Sequence, residues 1–267
     1  MMKRNLVALL AVAALAFLAT GCNKLKARDN LNKGSQAFRS AQYAQAVERF
    51  EEAVQLDPNW PPPRLYLGMA YYMQYIPGAE SEENKQMADR ALEQFKKVLE
   101  MDPKNDTATK SIASLYFYEK KWDLANEWNK KILELNPKDK EAYYTLGVIV
   151  WTKWYPVYGK ARADLRMAPD APGPIKDKKV KEDLKTQFLP LINEGIDDLN
   201  KALAIDPEYD DAMAYINLLI RERADLDDDT AQYQKDIETA NSWVQKNLET
   251  KKLKASRKPT TTGITAQ

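Results

Sequence analysis

The chain has 267 residues, 40 Lys and Arg against 39 Asp and Glu, a single cysteine and no histidine. Without histidine there is no Ser-His-Asp or Cys-His nucleophile, no His-ligated zinc or haem, and no side chain that titrates near neutrality unperturbed. The balanced charge lacks the basic excess of a dedicated nucleic-acid binder, while 44% hydrophobic content over this length allows a sizeable core.

Lys3 and Arg4 precede residues 6–19, LVALLAVAALAFLA, a run with no polar side chain. It is shorter than the roughly 20 residues a membrane-spanning helix needs, and it ends in small residues, so a secretory signal is expected. The exit reads Leu18-Ala19-Thr20-Gly21-Cys22 and contains the chain's only cysteine. This resembles a bacterial lipobox, with Leu18 one position earlier than the commonest pattern has it. The resemblance implies cleavage before Cys22, a diacylglyceryl group on its sulfur and acylation of the new amino terminus. Residues 1–21 are then a lipoprotein signal peptide and 22–28 a short tether, with lipidated Cys22 holding the protein on a membrane. Asn23 in place of Asp resembles an outer-membrane sorting signal of enteric bacteria. The expected location is the bacterial cell envelope, with the periplasmic face of the outer membrane favoured.

Beyond the leader, four segments end alike: Leu56-Asp57-Pro58, Met101-Asp102-Pro103, Leu135-Asn136-Pro137 and Ile205-Asp206-Pro207. An apolar residue, a turn-former and a proline make a helix stop, because proline cannot continue a helix and disfavours helical geometry in the residue before it. Pro103 and Pro137 lie 34 residues apart, and the other intervals fit that period once insertions are allowed. Gly34, Ala46, Phe50, Ala53 and Pro58 mark the first unit; Leu67, Gly68, Tyr71, Ala91, Phe95 and Pro103 the second. The third has Tyr116, Ala125 and Pro137, with Ala113 in the glycine slot and Asn129 where an aromatic belongs; the fourth has Tyr143, Leu146, Gly147, Gly195, Ala202 and Pro207. A degenerate fifth start, 213–220, carries Asn217 in place of the glycine. These landmarks resemble the tetratricopeptide repeat. The resemblance implies an all-α, helix-turn-helix solenoid wound as a right-handed superhelix, with about four to five repeats over residues 29–250 and insertions at about 74–88 and 152–189.

The helical period is also visible without the family, since Ala46, Val47, Phe50, Ala53 and Val54 recur at steps of three and four. After Asp227-Asp228-Asp229-Thr230 a capping helix is expected, with Ile237, Ala240, Val244 and Leu248 on one face. Residues 251–267, with five basic and no acidic side chains, read as a basic disordered tail.

The larger insertion brings Trp154-Tyr155-Pro156 and Tyr158, then the Pro-rich 169–174, then the basic 176–181; such insertions emerge as loops, either as a binding element or as a neutral elaboration. Four residues past each glycine slot stand Phe38, Tyr72, Phe117 and Trp151. In the tetratricopeptide fold this position looks toward the inner surface, so the resemblance implies an aromatic stripe, joined by Leu65, Met69, Met73, Tyr118 and Tyr144, that would suit a peptide groove. Packing between repeats is the other use of such a stripe. The family's carboxylate-gripping Lys and Asn positions hold Leu31, Ser35, Tyr66, Thr107 and Ser111 here, so that clamp is not expected. Asp225, Asp227 and Asp229 alternate like the start of a calcium loop, but no glycine follows at the turn; helix capping by Asp229 accounts for them. Asp197 and Asp198 are adjacent on a helix and read as solvated.

The expected protein is a non-enzymatic, membrane-anchored scaffold that binds a protein or peptide partner in the envelope, with no metal, cofactor, nucleic acid or small-molecule substrate. A hydrolase using paired carboxylates and a self-assembling structural lipoprotein are the alternatives.

Overall fold

The structure is a computed structural model describing residues 2–168 and 173–257, with side chains from residue 21 onward. The described residues form ten α-helices and no strand: α1 (Met2–Arg39), α2 (Tyr43–Leu56), α3 (Pro61–Tyr72), α4 (Glu82–Met101), α5 (Asp106–Tyr118), α6 (Trp122–Leu135), α7 (Lys140–Asp164), α8 (Lys178–Ile205), α9 (Asp210–Ala224) and α10 (Thr230–Arg257). They divide into two units, Met1–Trp128 and Asn129–Gln267, with the boundary inside α6.

In the first unit α1 pairs with α2 and α3 with α4, and the pairs stack through α2 on α3 and α4 on α5. The glycine landmarks sit where paired helices meet. A Cβ on Gly34 would lie 2.5 Å from the Phe50 ring, and one on Gly68 2.8 Å from Phe95. Both phenylalanines are fully buried, so the small residue and the large one form a single contact seen twice. The chain before this contact departs from expectation. Residues 22–28, expected as a tether, belong to α1, and Ala27 is fully buried. Among the described residues, no helix is long and apolar enough to cross a membrane.

The turn-formers before the prolines have a specific use. Asp102 accepts a hydrogen bond from the Lys104 amide (3.3 Å), Asn136 from Lys138 (3.2 Å) and Asp206 from Glu208 (3.0 Å). Each side chain thus closes the turn that the proline opens. Asn105 and Asp139 then cap α5 and α7 through the amides of Ala108 and Ala142. The first insertion is stitched by a different asparagine. Asn84, buried at the start of α4, accepts from the Ile76 amide and donates to the carbonyls of Ile76 and Ala79.

In the second unit α7 pairs with α8 and α9 with α10, and α9 packs on both α7 and α8. The insertion at 152–189 is not a projecting loop: α7 runs through it to Asp164, α8 begins at Lys178, and residues 169–172 lie outside the described residues. Arg162, 1% exposed, holds the elements together. Its Nη1 donates to Asp225 Oδ2 (2.5 Å) and to the Tyr158 hydroxyl (3.2 Å), while Nε and Nη2 donate to the Ala168 carbonyl. Lys181 and Lys185 add ion pairs to Asp228 and hold its carboxyl down at about 2.

Two further expectations fail here for the same reason, that a buried polar group is tolerated once it is partnered. The buried residues of α10 are Asp236, Ala240 and Asn247; of the expected face Ala240 is buried, Ile237 and Val244 are half-buried and Leu248 is exposed. Arg223 binds both oxygens of Asp236, and Asn247 donates to the Asp210 carbonyl. Asp198, expected in solvent, is buried beside Lys201, three residues on, at 2.8 Å. The expected tail starts as helix, since α10 extends to Arg257; residues 258–267 lie outside the described residues.

Candidate functional site

The first helix of each pair presents the aromatic positions. In the first unit Phe38 is half-buried and meets Tyr43 edge to face at 5.4 Å. Leu65, Met69 and Tyr72 are half-buried along α3, and Met73, just past its end, is 46% exposed. On α5, Phe117 is half-buried between Tyr118 (6.0 Å) and Trp122 (5.4 Å), with Tyr118 itself 43% exposed. Tyr72 and Tyr118 come together across α3 and α5 beside Ser114, and burial, with the neighbouring phenol, pushes the Tyr72 hydroxyl up. Tyr71, one residue earlier, points the other way: it is buried, donates to Glu51 at 2.6 Å and is pushed up to about 12, first by burial and then by that carboxylate.

In the second unit Tyr144 and Trp151 are half-buried on α7. Trp151 stacks on Tyr155 at 4.8 Å and meets Tyr215 edge to face at 5.5 Å, while Tyr144 touches Tyr209 at 5.0 Å and Tyr215 at 5.7 Å. All nine candidate residues are therefore half-buried or exposed. The structure adds Tyr155, Tyr209 and Tyr215 to them. The glycine-slot spacing does not itself point to these three; Tyr155 is visible as one helical turn past Trp151, within the aromatic start of the insertion.

Behind Trp151 lies Glu222, 6% exposed. Its Oε1 accepts from Trp151 Nε1 at 3.0 Å, and its Oε2 has no hydrogen-bond partner among the described residues. Trp154 Nε1 lies near enough to draw the Glu222 carboxyl down but outside hydrogen-bond geometry, and it too is unpartnered. Burial dominates and raises Glu222 to about 7. Burial also pushes the Asp225 carboxyl up, against the pull of Tyr158 and Arg162. These two carboxylates are packed shut, one against indoles and one against a guanidinium, so they do not form an acid–base pair across an open cleft. Of the aspartates with calcium-like alternation, Asp225 is committed to Arg162 and Asp229 caps the Ala231 amide. Cys22 is an exposed free thiol on α1.

Paired helices, close glycine–aromatic contacts and Asx-Pro turns at a 34-residue spacing find their counterpart in solved structures. A crystal structure of MamA superposes with TM-score 0.59 at 16% identity, over 87% of this chain and 96% of that one. MamA from Desulfovibrio magneticus RS-1 gives 0.57 at 19% identity, over 85% and 96%. YrrB, described as a TPR protein with an unusual peptide-binding site, gives 0.54 at 15% identity, over 88% and 97%. This chain has the tetratricopeptide-repeat fold. The family model of the plant-specific mitochondrial import receptor subunit TOM20 matches residues 41–134, within the tetratricopeptide-like region but under half of the chain. Among curated proteins no sequence matches.

Proposed function

We propose that this tetratricopeptide protein is a non-enzymatic interaction scaffold of the bacterial cell envelope, anchored by lipid on Cys22, each of whose two units binds peptide of a partner protein on the aromatic faces of its own first helices. The observation that carries the reading is the state of those faces. Phe38, Tyr72, Phe117 and Trp151, with Met73 and Tyr118, keep surface open to solvent although the cores beneath them are closed. Aromatic and methionine side chains bury large area at low entropic cost, which suits recognition of a peptide. The peptide-binding site named for YrrB is consistent with this use of the fold. The leader and the sequence around Cys22 support the lipid anchor, and continuous helix from Cys22 to the buried Ala27 would keep the first repeat close to the membrane surface.

Crosslinking capture from membranes tests the reading, comparing wild type with Phe117→Ala/Trp151→Ala and with fatty-acid labelling of wild type and Cys22→Ala alongside. Label that requires Cys22, and a captured envelope protein that disappears with the double substitution, are the expected results. Capture unchanged by the double substitution refutes the groove, and label retained in Cys22→Ala refutes the anchor.

A further inference from the structure

The second unit carries two rows of side chains at helical spacing. On α7 they are Glu141, Tyr144, Trp151 and Tyr155; on α9 they are Asp211, Tyr215 and Glu222. The rings join the rows, because Tyr215 of α9 meets both Tyr144 and Trp151 of α7. At one end of this aromatic ladder, in the first turn of α9, the Asp211 carboxylate is exposed and forms no ion pair with any described residue. It stands four residues before Tyr215, on the same side of the helix. Its charge reaches three phenols, adding to the effect of burial in raising Tyr144, Tyr209 and Tyr215.

The chain itself shows what such a combination takes. Lys140 Nζ lies 5.1 Å over the Tyr209 ring and is held by Asp206 at 2.7 Å. One ring face and one carboxylate thus share a cation. Tyr144, Tyr215 and Asp211 offer the same chemistry, two rings meeting at 74° beside an unpaired carboxylate, with no cation of the described chain placed on it. Glu141, one turn before Tyr144, is already paired with Lys140 at 3.7 Å, which leaves Asp211 as the carboxylate open to an incoming cation. A cation over tyrosine faces is attracted by the ring quadrupole and further by a nearby carboxylate.

We propose that Tyr144, Tyr215 and Asp211 form a receptor for one Lys or Arg side chain of a peptide partner, with Trp151 and Tyr155, about 10 Å or more along α7, receiving an apolar residue of the same peptide. This rests on the scaffold reading and specifies its ligand: a peptide with a basic residue about three or more extended positions from an apolar one. The ladder fixes the direction, since the acidic end and the stacked Trp151–Tyr155 end differ in chemistry. Trp151 is held in place from behind by its bond to Glu222, so the stacking surface is preformed.

The test uses the full chain with 13C-labelled tyrosine rings and two small probes, N-acetyl-arginine amide and its neutral isostere N-acetyl-citrulline amide. Saturable shifts at Tyr144 and Tyr215 are expected with the arginine probe, at least about fivefold weaker with citrulline and similarly weakened in Asp211→Asn. Equal response to the two probes in the wild-type protein overturns the proposal, and this comparison needs no variant to fold. Wild-type affinity in a folded Asp211→Asn, or no shift at all, overturns it as well. If the probe fails while partner capture still depends on Phe117 and Trp151, the cation receptor falls and the scaffold reading stands.

Discussion

Replacing Glu222 by Gln separates the cost of a buried charge from the packing around it. Glu222 is almost fully buried, accepts one indole N–H and forms no ion pair among the described residues, while Arg162 pairs with Asp225. Its carboxyl is raised from 4.5 to about 7, mainly by burial. At about 1.4 kcal/mol per pH unit, that displacement corresponds to roughly 3 kcal/mol. A raised carboxyl means that the folded protein holds the proton more tightly than the unfolded chain does. The stabilisation it gives is full below pH 4.5, falls as pH rises, and is gone above about 7. Glutamine preserves the acceptor for Trp151 and does not titrate. Urea unfolding from pH 4.5 to 8, followed by tryptophan fluorescence, should therefore show wild type losing stability relative to Glu222→Gln, with a gap that opens through this window and reaches up to about 3 kcal/mol. Carboxylates remote from Glu222 titrate equally in both proteins and cancel in the difference, whereas Asp225, whose charge helps raise Glu222, contributes a smaller coupled change. Parallel stability curves across the range would refute the argument, as would a gap that closes with rising pH.

Arg162→Met should destabilise the second unit by about 3–5 kcal/mol, because it leaves Asp225 buried without a counter-charge; adding Asp225→Leu should recover much of the loss in denaturant titration. Gly147→Ala forces a methyl into the Leu199 side chain and should cost about 1–3 kcal/mol, whereas Gly159→Ala, with open space around it, should cost nothing measurable in the same thermal-melt comparison.

The helix pairing was legible in the sequence because its signals are local or strictly periodic. Gly34 and Phe50, Gly68 and Phe95, and the Asx-Pro turns recur at spacings that only a repeated unit produces. The aromatic positions were legible for the same reason, since Phe38, Tyr72, Phe117 and Trp151 are counted from the glycine slots. The remainder depends on pairings far apart in the chain. Arg162 meets Asp225 across 63 residues, and Tyr144 and Trp151 on α7 meet Tyr215 on α9 with the whole of α8 between them, so no short window of sequence contains both partners. The packing face of α10 was hidden by chemistry rather than distance. Hydrophobic pattern selects Ile237, Ala240, Val244 and Leu248, of which Ala240 is buried, whereas Arg223 and the Asp210 carbonyl make Asp236 and Asn247 the other buried residues. The segment at 22–28 reads as a tether because it is short and charged, yet it repeats the spacing that places Ala27, Asn30, Gly34 and Ala37 against the first unit.

That last segment makes Cys22 a fixed point rather than the end of a string. The cysteine lies on the same unbroken helix as Gly34, whose contact with Phe50 sets the rotation of the helix about its own axis. Helix phase therefore determines the compass bearing along which the thiol leaves the protein. One residue added between Cys22 and Ala27 would lift the thiol by about 1.5 Å and swing it by about 100° around the axis, and seven added residues would return it to nearly the same bearing about 10 Å further out.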